Sequence, residues 1–144
     1  SMVREMKNSN VEWLADIPAD WSLRQVGNLA TQTKVPNAGL VEKNLLSLSY
    51  GNIRRRDISS NEGLLPASYE TYNVIEPNDI VLRFTALQND QKSLRVGLSK
   101  EKGIITSAYT TIRPHDSEDA RYIYYALHAF DLRKGFYGMG SGVR

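Results

Sequence analysis

Between Leu46 and Arg113 the chain is a succession of strand-length apolar stretches, each closed by a turn signal, and this pattern restricts the fold more than any other feature. Leu46, Leu48 and Tyr50 alternate with Ser47 and Ser49, the two-residue period of a half-buried strand, and the stretch ends at Gly51-Asn52. Arg54-Arg55-Arg56 reads as a polar loop after it. Beyond a one-turn helical candidate at Pro66, Val74-Ile75 and Ile80-Val81-Leu82-Arg83-Phe84 flank Glu76-Pro77-Asn78-Asp79, where the fixed φ of proline suits a turn. That is strand, turn, strand. Leu94, Val96 and Leu98 alternate again, Lys100-Glu101-Lys102-Gly103 ends in glycine, and Ile104-Ile105-Thr106 resumes the pattern, so a hairpin is expected there. Tyr109 to Arg113 extends the sheet.

Helical periodicity is confined to the two ends. Val26, Leu29 and Ala30 line one side of a short helix expected from Ser22 to about Thr31, although Gly27 opposes it. Asp116 or Ser117 is placed to cap a second helix whose first turn carries Glu118 and Asp119 and whose Ile123, Ala126, Leu127 and Phe130 share a face. Ahead of both, Trp13 and Trp21 bracket an irregular arm through Ile17-Pro18, which reads as an anchor onto the body. The expected class is α+β, with a twisted, largely antiparallel or mixed sheet and a few helices.

With 144 residues, 41% of them apolar, the chain is long enough for one ordinary core, so residues 1–144 read as a single domain. Ser1 ahead of Met2 reads as a tag remnant, and the glycine-punctuated Gly140-Ser141-Gly142-Val143-Arg144 as a lead into a further element. The absence of cysteine removes disulfides, thiolate metal sites and cysteine nucleophiles. No apolar run approaches the roughly 18 residues of a membrane span, and no signal peptide is visible, so a cytoplasmic location is expected.

Catalytic motifs are missing. There is no G-x-S-x-G elbow, and the two histidines, His115 and His128, have no partner at ligand spacing. Gly138-Met139-Gly140-Ser141-Gly142 lacks the lysine of a phosphate-binding loop and reads as a hinge. Helix capping accounts for Asp116, Glu118 and Asp119.

Charge is unevenly spread despite a net +2. Residues 1–20 hold two basic and four acidic side chains, whereas residues 83–113 hold six basic against two acidic ones. Within that basic region, Thr85-Ala86-Leu87-Gln88-Asn89-Asp90-Gln91-Lys92-Ser93 concentrates amide, hydroxyl and basic groups on one connection. Gln and Asn can bond bidentately to adenine, Arg and Lys donate to guanine, and an acid can accept from cytosine, while flanking cations hold phosphates. An ordinary polar hairpin connection is the competing reading.

The segment Arg83-Phe84-Thr85-Ala86-Leu87-Gln88-Asn89-Asp90, continuing through Ser93-Leu94-Arg95 to Gly103-Ile104-Ile105-Thr106-Ser107-Ala108-Tyr109, resembles the target-recognition domain of a type I restriction-modification specificity subunit. The Trp13-Leu14 to Trp21 arm, the Leu46–Gly51 strand, Asp79-Ile80-Val81-Leu82 and the terminal Gly140–Arg144 are similar to that family's landmarks in the same order. The resemblance implies a DNA-binding domain, the N-terminal one of two, that reads half of a split target, with its spacer helix absent here. It further implies partners: double-stranded DNA, a methyltransferase subunit using S-adenosylmethionine, and a restriction subunit using ATP and Mg. No cofactor and no catalysis are expected on this chain, and the fragment itself is expected to be monomeric.

The residues expected to face DNA are Thr85, Gln88, Asn89, Asp90 and Ser93, with Lys92 and Arg95 shared between phosphate and guanine. Lys34, Tyr50, Gly51, Asn52 and Arg54 form a second expected region, because loops at one sheet edge often converge on one ligand. Arg83 reads alternatively as a sheet salt-bridge partner. A protein-interaction module using Tyr122, Tyr124, Tyr125 and the tryptophan arm is the competing function.

Overall fold

The run Ile80-Val81-Leu82 opens a strand that is buried on both faces there. All three side chains are fully inaccessible, as a continuous apolar run in a central strand requires. In the computed structural model, which describes residues 25–56, 67–86 and 92–129, this strand organises an α+β chain with several antiparallel sheets and few helices. The strands are β1 (Ala30–Thr33), β2 (Leu46–Ser49), β3 (Asn52–Arg55), β4 (Asn73–Ile75), β5 (Ile80–Ala86), β6 (Lys92–Leu98), β7 (Gly103–Ile105) and β8 (Thr110–Pro114). A four-stranded sheet runs β1-β8-β5-β6, while β2-β3 and β4-β7 form two-stranded sheets. Every pairing of named strands is antiparallel.

Alternation along β5 divides the core. Ile80 and Leu82 join Leu94, Val96 and Ile112 beneath Ile123 and Leu127 of the helix at residues 120–129, with Val26 and Ala30 completing the layer. Val81 points the other way, into Leu46, Leu48, Ile75 and Ile105 of the two small sheets. Two glycines permit the close approach of this second layer. A Cβ on Gly97 would meet Leu48 and Ile53 side chains at 2.6 and 2.9 Å, and one on Gly103 would lie 2.5 Å from the Asn44 carbonyl oxygen.

Several sequence expectations hold. Asp116 caps the last helix, its carboxylate accepting from Glu118 N at 2.9 Å, and a 3-10 turn (Ser117–Asp119) leads into residues 120–129. The helical candidate at Pro66 corresponds to a 3-10 turn, Ala67–Thr71. Others are corrected. Of the helix expected over 22–31, only residues 25–27 are helical among those described, because Ala30 to Thr33 are drawn into the ladder with β8, where the β-branched Thr31 and Thr33 fit. Arg54 and Arg55 belong to β3 rather than to a loop. Tyr50 and Gly51 both take positive φ, 50° and 80°, the two-residue geometry that matches hairpin twist, so the chain returns at once against β2.

The expected β6–β7 hairpin does not form. β6 pairs with β5 and β7 with β4, because Asn44 intervenes, its amide donating to the Lys102 carbonyl at 2.7 Å and its own carbonyl accepting from Ile104 N. The strands flanking Glu76–Asp79 likewise belong to different sheets. The tryptophan arm, Phe130 and Gly138–Gly142 lie outside the described residues. No described helix is long and apolar enough to cross a membrane.

Asp79 locks the start of β5. Its buried carboxylate accepts from Arg113 Nε and Nη2 of β8 at 2.8 and 2.9 Å and from Glu76 N at 2.8 Å. This pairing also raises the Arg113 pKa above its ordinary value. Asp79→Ala is expected to cost about 2–3 kcal/mol, since it strands a guanidinium and a turn N–H that the carboxylate had satisfied. Gly103→Ala is expected to cost about 1–3 kcal/mol because its new methyl meets the Asn44 backbone carbonyl as well as the buried Leu46 side chain. Urea denaturation of each variant checks both values.

Candidate nucleic-acid interface

Antiparallel pairing fixes which loops share an end of the main sheet. β5 and β6 are joined at their Ala86 and Lys92 ends, which are paired with each other. β8 enters at Thr110, opposite Leu82, and β1 leaves at Thr33, opposite Thr111. Lys34 therefore leaves β1 near the level of Leu82, on the far edge from β6, and the chain then runs along β4, the Val35 carbonyl accepting from Val74 N. Three strand spacings, about 14 Å, separate the two edges.

The second expected region reaches the sheet from the side. The β2–β3 turn lies against β6 and the last helix: a Cβ on Gly51 would lie 3.7 Å from the Val96 carbonyl oxygen and 3.4 Å from the His128 ring. Tyr124 Oη donates to the Gly51 carbonyl at 3.1 Å. Burial raises the Tyr124 pKa, with the neighbouring Tyr125 adding to the effect, so the hydroxyl keeps the proton that this bond uses. His128 stacks on Tyr124, ring centroids 5.5 Å apart, and its buried Nδ1 has no partner among the described residues. The turn thus stands on two aromatic rings. At its tip Tyr50 is 91% exposed, and Asn52 Nδ2 donates weakly back to the Tyr50 carbonyl at 3.4 Å.

Ser93 lies three residues before Val96 on β6, about 10 Å along the strand. The turn at Tyr50, Gly51 and Asn52 therefore packs against the flank of β6, about 10 Å along the strand from the closing rungs rather than at the same sheet edge. Thr85, Lys92 and Ser93 are placed by their backbone at the closing rungs, Thr85 opposite Ser93 and Ala86 opposite Lys92. Gln88, Asn89 and Asp90 lie outside the described residues. Arg95 is exposed, directly opposite Arg83. Arg54 is exposed too, but β3 carries it away from the connection, since the next residue, Arg55, bonds Glu101 beyond the far end of β6 at 2.7 Å.

Carboxylates concentrate at the opposite end of the main sheet. Glu76 and Asp79 precede β5, Glu101 follows β6, and Asp116, Glu118 and Asp119 follow β8. Most are committed there. Asp79 holds Arg113, Glu76 lies 3.7 Å from Lys102, and the Arg55 guanidinium keeps the Glu101 carboxyl below its ordinary pKa. Asp116 caps its helix. The remaining described acids serve local turns, Glu70 accepting from Gly39 N and Glu42 from Asn44 N. β5 and β6 themselves carry Arg83 and Arg95 and no carboxylate.

Sequence reasoning missed Tyr124 and His128 as supports of the hairpin turn; their i, i+4 spacing, which puts two flat rings on one helix face, is the signal that was available. It also missed Tyr109, whose ring lies beneath Arg83 with the guanidinium carbon 5.6 Å from the ring centroid. For Arg83 this ring, rather than a described carboxylate, is the observed partner. Compared with models of protein families, with curated proteins and with solved structures, the chain has no significant match in any of the three.

Tyr124→Phe removes the bond to the Gly51 carbonyl while keeping the ring. A loss of about 0.5–1.5 kcal/mol is expected, together with faster amide exchange confined to β2, β3 and their turn. Native-state hydrogen exchange distinguishes this local release from general destabilisation.

Proposed function

We propose that the chain is a DNA target-recognition domain of the type I restriction-modification kind, reading one half of a split target in the cytoplasm. Partner subunits would carry out adenine methylation and cleavage. The observation that supports this reading best is the polarity of the main sheet. Arg83, Arg95 and the amide-rich connection lie toward the Ala86–Lys92 rung of β5 and β6, while the carboxylates of Glu76, Asp79 and Glu101 gather at the Ile80–Leu98 end, where Asp79 pairs with Arg113, Glu76 with Lys102 and Glu101 with Arg55. DNA approaching Arg83 and Arg95 meets no carboxylate from β5 or β6, which favours phosphate neutralisation and counterion release.

The mechanism is one of positioning. Lys34, Lys92 and Arg95 supply salt-sensitive affinity to the phosphate backbone. The β5–β6 connection, through Thr85, Gln88, Asn89, Asp90 and Ser93, presents groups able to read base edges, and the braced turn at Tyr50–Asn52 fixes the neighbouring stretch of duplex. Arg54 contributes at the periphery. A methyltransferase docked beside the held duplex then has its adenine in register for flipping. No cofactor on this chain takes part; S-adenosylmethionine, ATP and Mg act on the partner subunits.

A second reading, an interaction module, draws on the exposed aromatics of the last helix, Tyr122 at 57% and Tyr125 at 61% exposure. Tyr124 does not contribute to such a surface, being committed to the β2–β3 turn. Salt separates the two readings, because phosphate binding weakens steeply with ionic strength and an aromatic protein interface does not.

The deciding experiment maps methylated adenines in randomised DNA, using the full-length protein with its methyltransferase partner. A split motif is expected. Gln88→Ala should relax one half of it by about 1–3 kcal/mol of discrimination. Lys92→Ala should instead weaken all sequences alike and lower the salt slope by about one. Absence of a split motif for the unaltered protein would overturn the reading in favour of the interaction module.

A further inference from the structure

Arg83 and Arg95 are direct partners across β5 and β6, a register that sets their Cα atoms about 5 Å apart and sends both side chains from the same face of the sheet. Both are exposed. Like charges directly opposite each other on neighbouring strands repel, so this is a costly arrangement unless an anion occupies the space between them. The face is the one on which Val81 and Gly97 meet the small sheets, and Arg83 and Arg95 stand just beyond that packed layer, toward the β5–β6 connection. Tyr109, half-buried at the entry to β8, lies under Arg83. A ring under the flat face of a guanidinium holds it by cation–π attraction and leaves its N–H edge free to donate.

From this juxtaposition we infer that Arg83 and Arg95 form a two-guanidinium clamp for a single phosphodiester of the bound DNA backbone, with Tyr109 as the positioning residue for Arg83. The inference rests on the DNA-binding reading and deepens it. It commits Arg95 to a single backbone phosphate shared with Arg83, and it gives Arg83 and Tyr109 a role. Two planar forks approaching one tetrahedral anion can satisfy both non-bridging oxygens, which a pair of ammonium groups would do with less directional control. The clamp sits midway along the β5–β6 ladder, so it anchors the duplex at a fixed distance from the connection that reads bases.

The test compares the unaltered protein with Arg83→Gln, Arg95→Gln, the double variant and Tyr109→Leu, by two measurements. The first is the salt dependence of binding to duplex DNA. Loss of one phosphate contact should lower the slope of log K against log salt by about one, with the double variant losing little more than either single variant because both arginines hold the same group. Tyr109→Leu should weaken binding without shifting base preference. The second is thermal stability in inorganic phosphate against chloride at matched ionic strength, which needs no DNA. Phosphate should raise the melting temperature of the unaltered protein and not of the double variant.

Phosphate stabilisation that depends on the pair, in a protein that fails to bind DNA, would uphold the anion clamp and sink the DNA reading. Equal phosphate response in the unaltered and double-variant proteins, with an unchanged salt slope, would overturn the clamp while leaving DNA recognition standing.

Discussion

Everything in this fold is arranged around burying both faces of β5. A strand whose successive residues Ile80, Val81 and Leu82 are all sealed from water needs a cover on each side. The 120–129 helix supplies one, through Ile123 and Leu127, and the two small sheets supply the other. Burial of each such side chain contributes roughly 1.5–3 kcal/mol. The Asp79–Arg113 pair fixes where that strand begins relative to β8, and with the start fixed the register sends Arg83, and then the polar connection, out of the core at the opposite end. Packing and the proposed recognition chemistry are two ends of one strand.

The same strand explains the separation of charge. The connections at the Ile80 end are tight and carry acids that serve as caps and ion-pair partners, structural tasks that consume their charge. The other end is closed by the last rungs of the seven-rung ladder, Thr85 opposite Ser93 and Ala86 opposite Lys92, which carry no acid. Electrostatic asymmetry thus follows from architecture at the structural end and is available for binding at the other.

Local patterns made most of the strands legible. The two-residue period located β2 and β6, the apolar run located β5, and Asp116 with its acidic first turn located the last helix. Pairing was not legible, because alternation tells which face a residue takes and not which strand lies beside it. Lys100–Gly103 has the composition of a hairpin connection, yet Asn44, more than fifty residues earlier, claims the hydrogen bonds that would have closed it. Ala30 to Thr33 failed as a helix for a similar reason, the partner being Thr111 to Pro114 at the other end of the chain. Of the candidate site, composition exposed the polar connection and the Tyr50–Asn52 turn. It could not expose their spacing along β6, the departure of Arg54, or Arg83 standing opposite Arg95, since each depends on long-range register.

The seven-rung ladder between β5 and β6 closes before the polar connection begins, and its apolar rungs, from Ile80 opposite Leu98 to Phe84 opposite Leu94, draw their stability from the helix and the β8 neighbour. The frame is thus secured by its own rungs, up to Ala86 and from Lys92 onward. A frame held in this way is a mount that can tolerate change in the sequence joining its strands, so new preferences could arise by drift or recombination without the protein first having to survive the loss of its core.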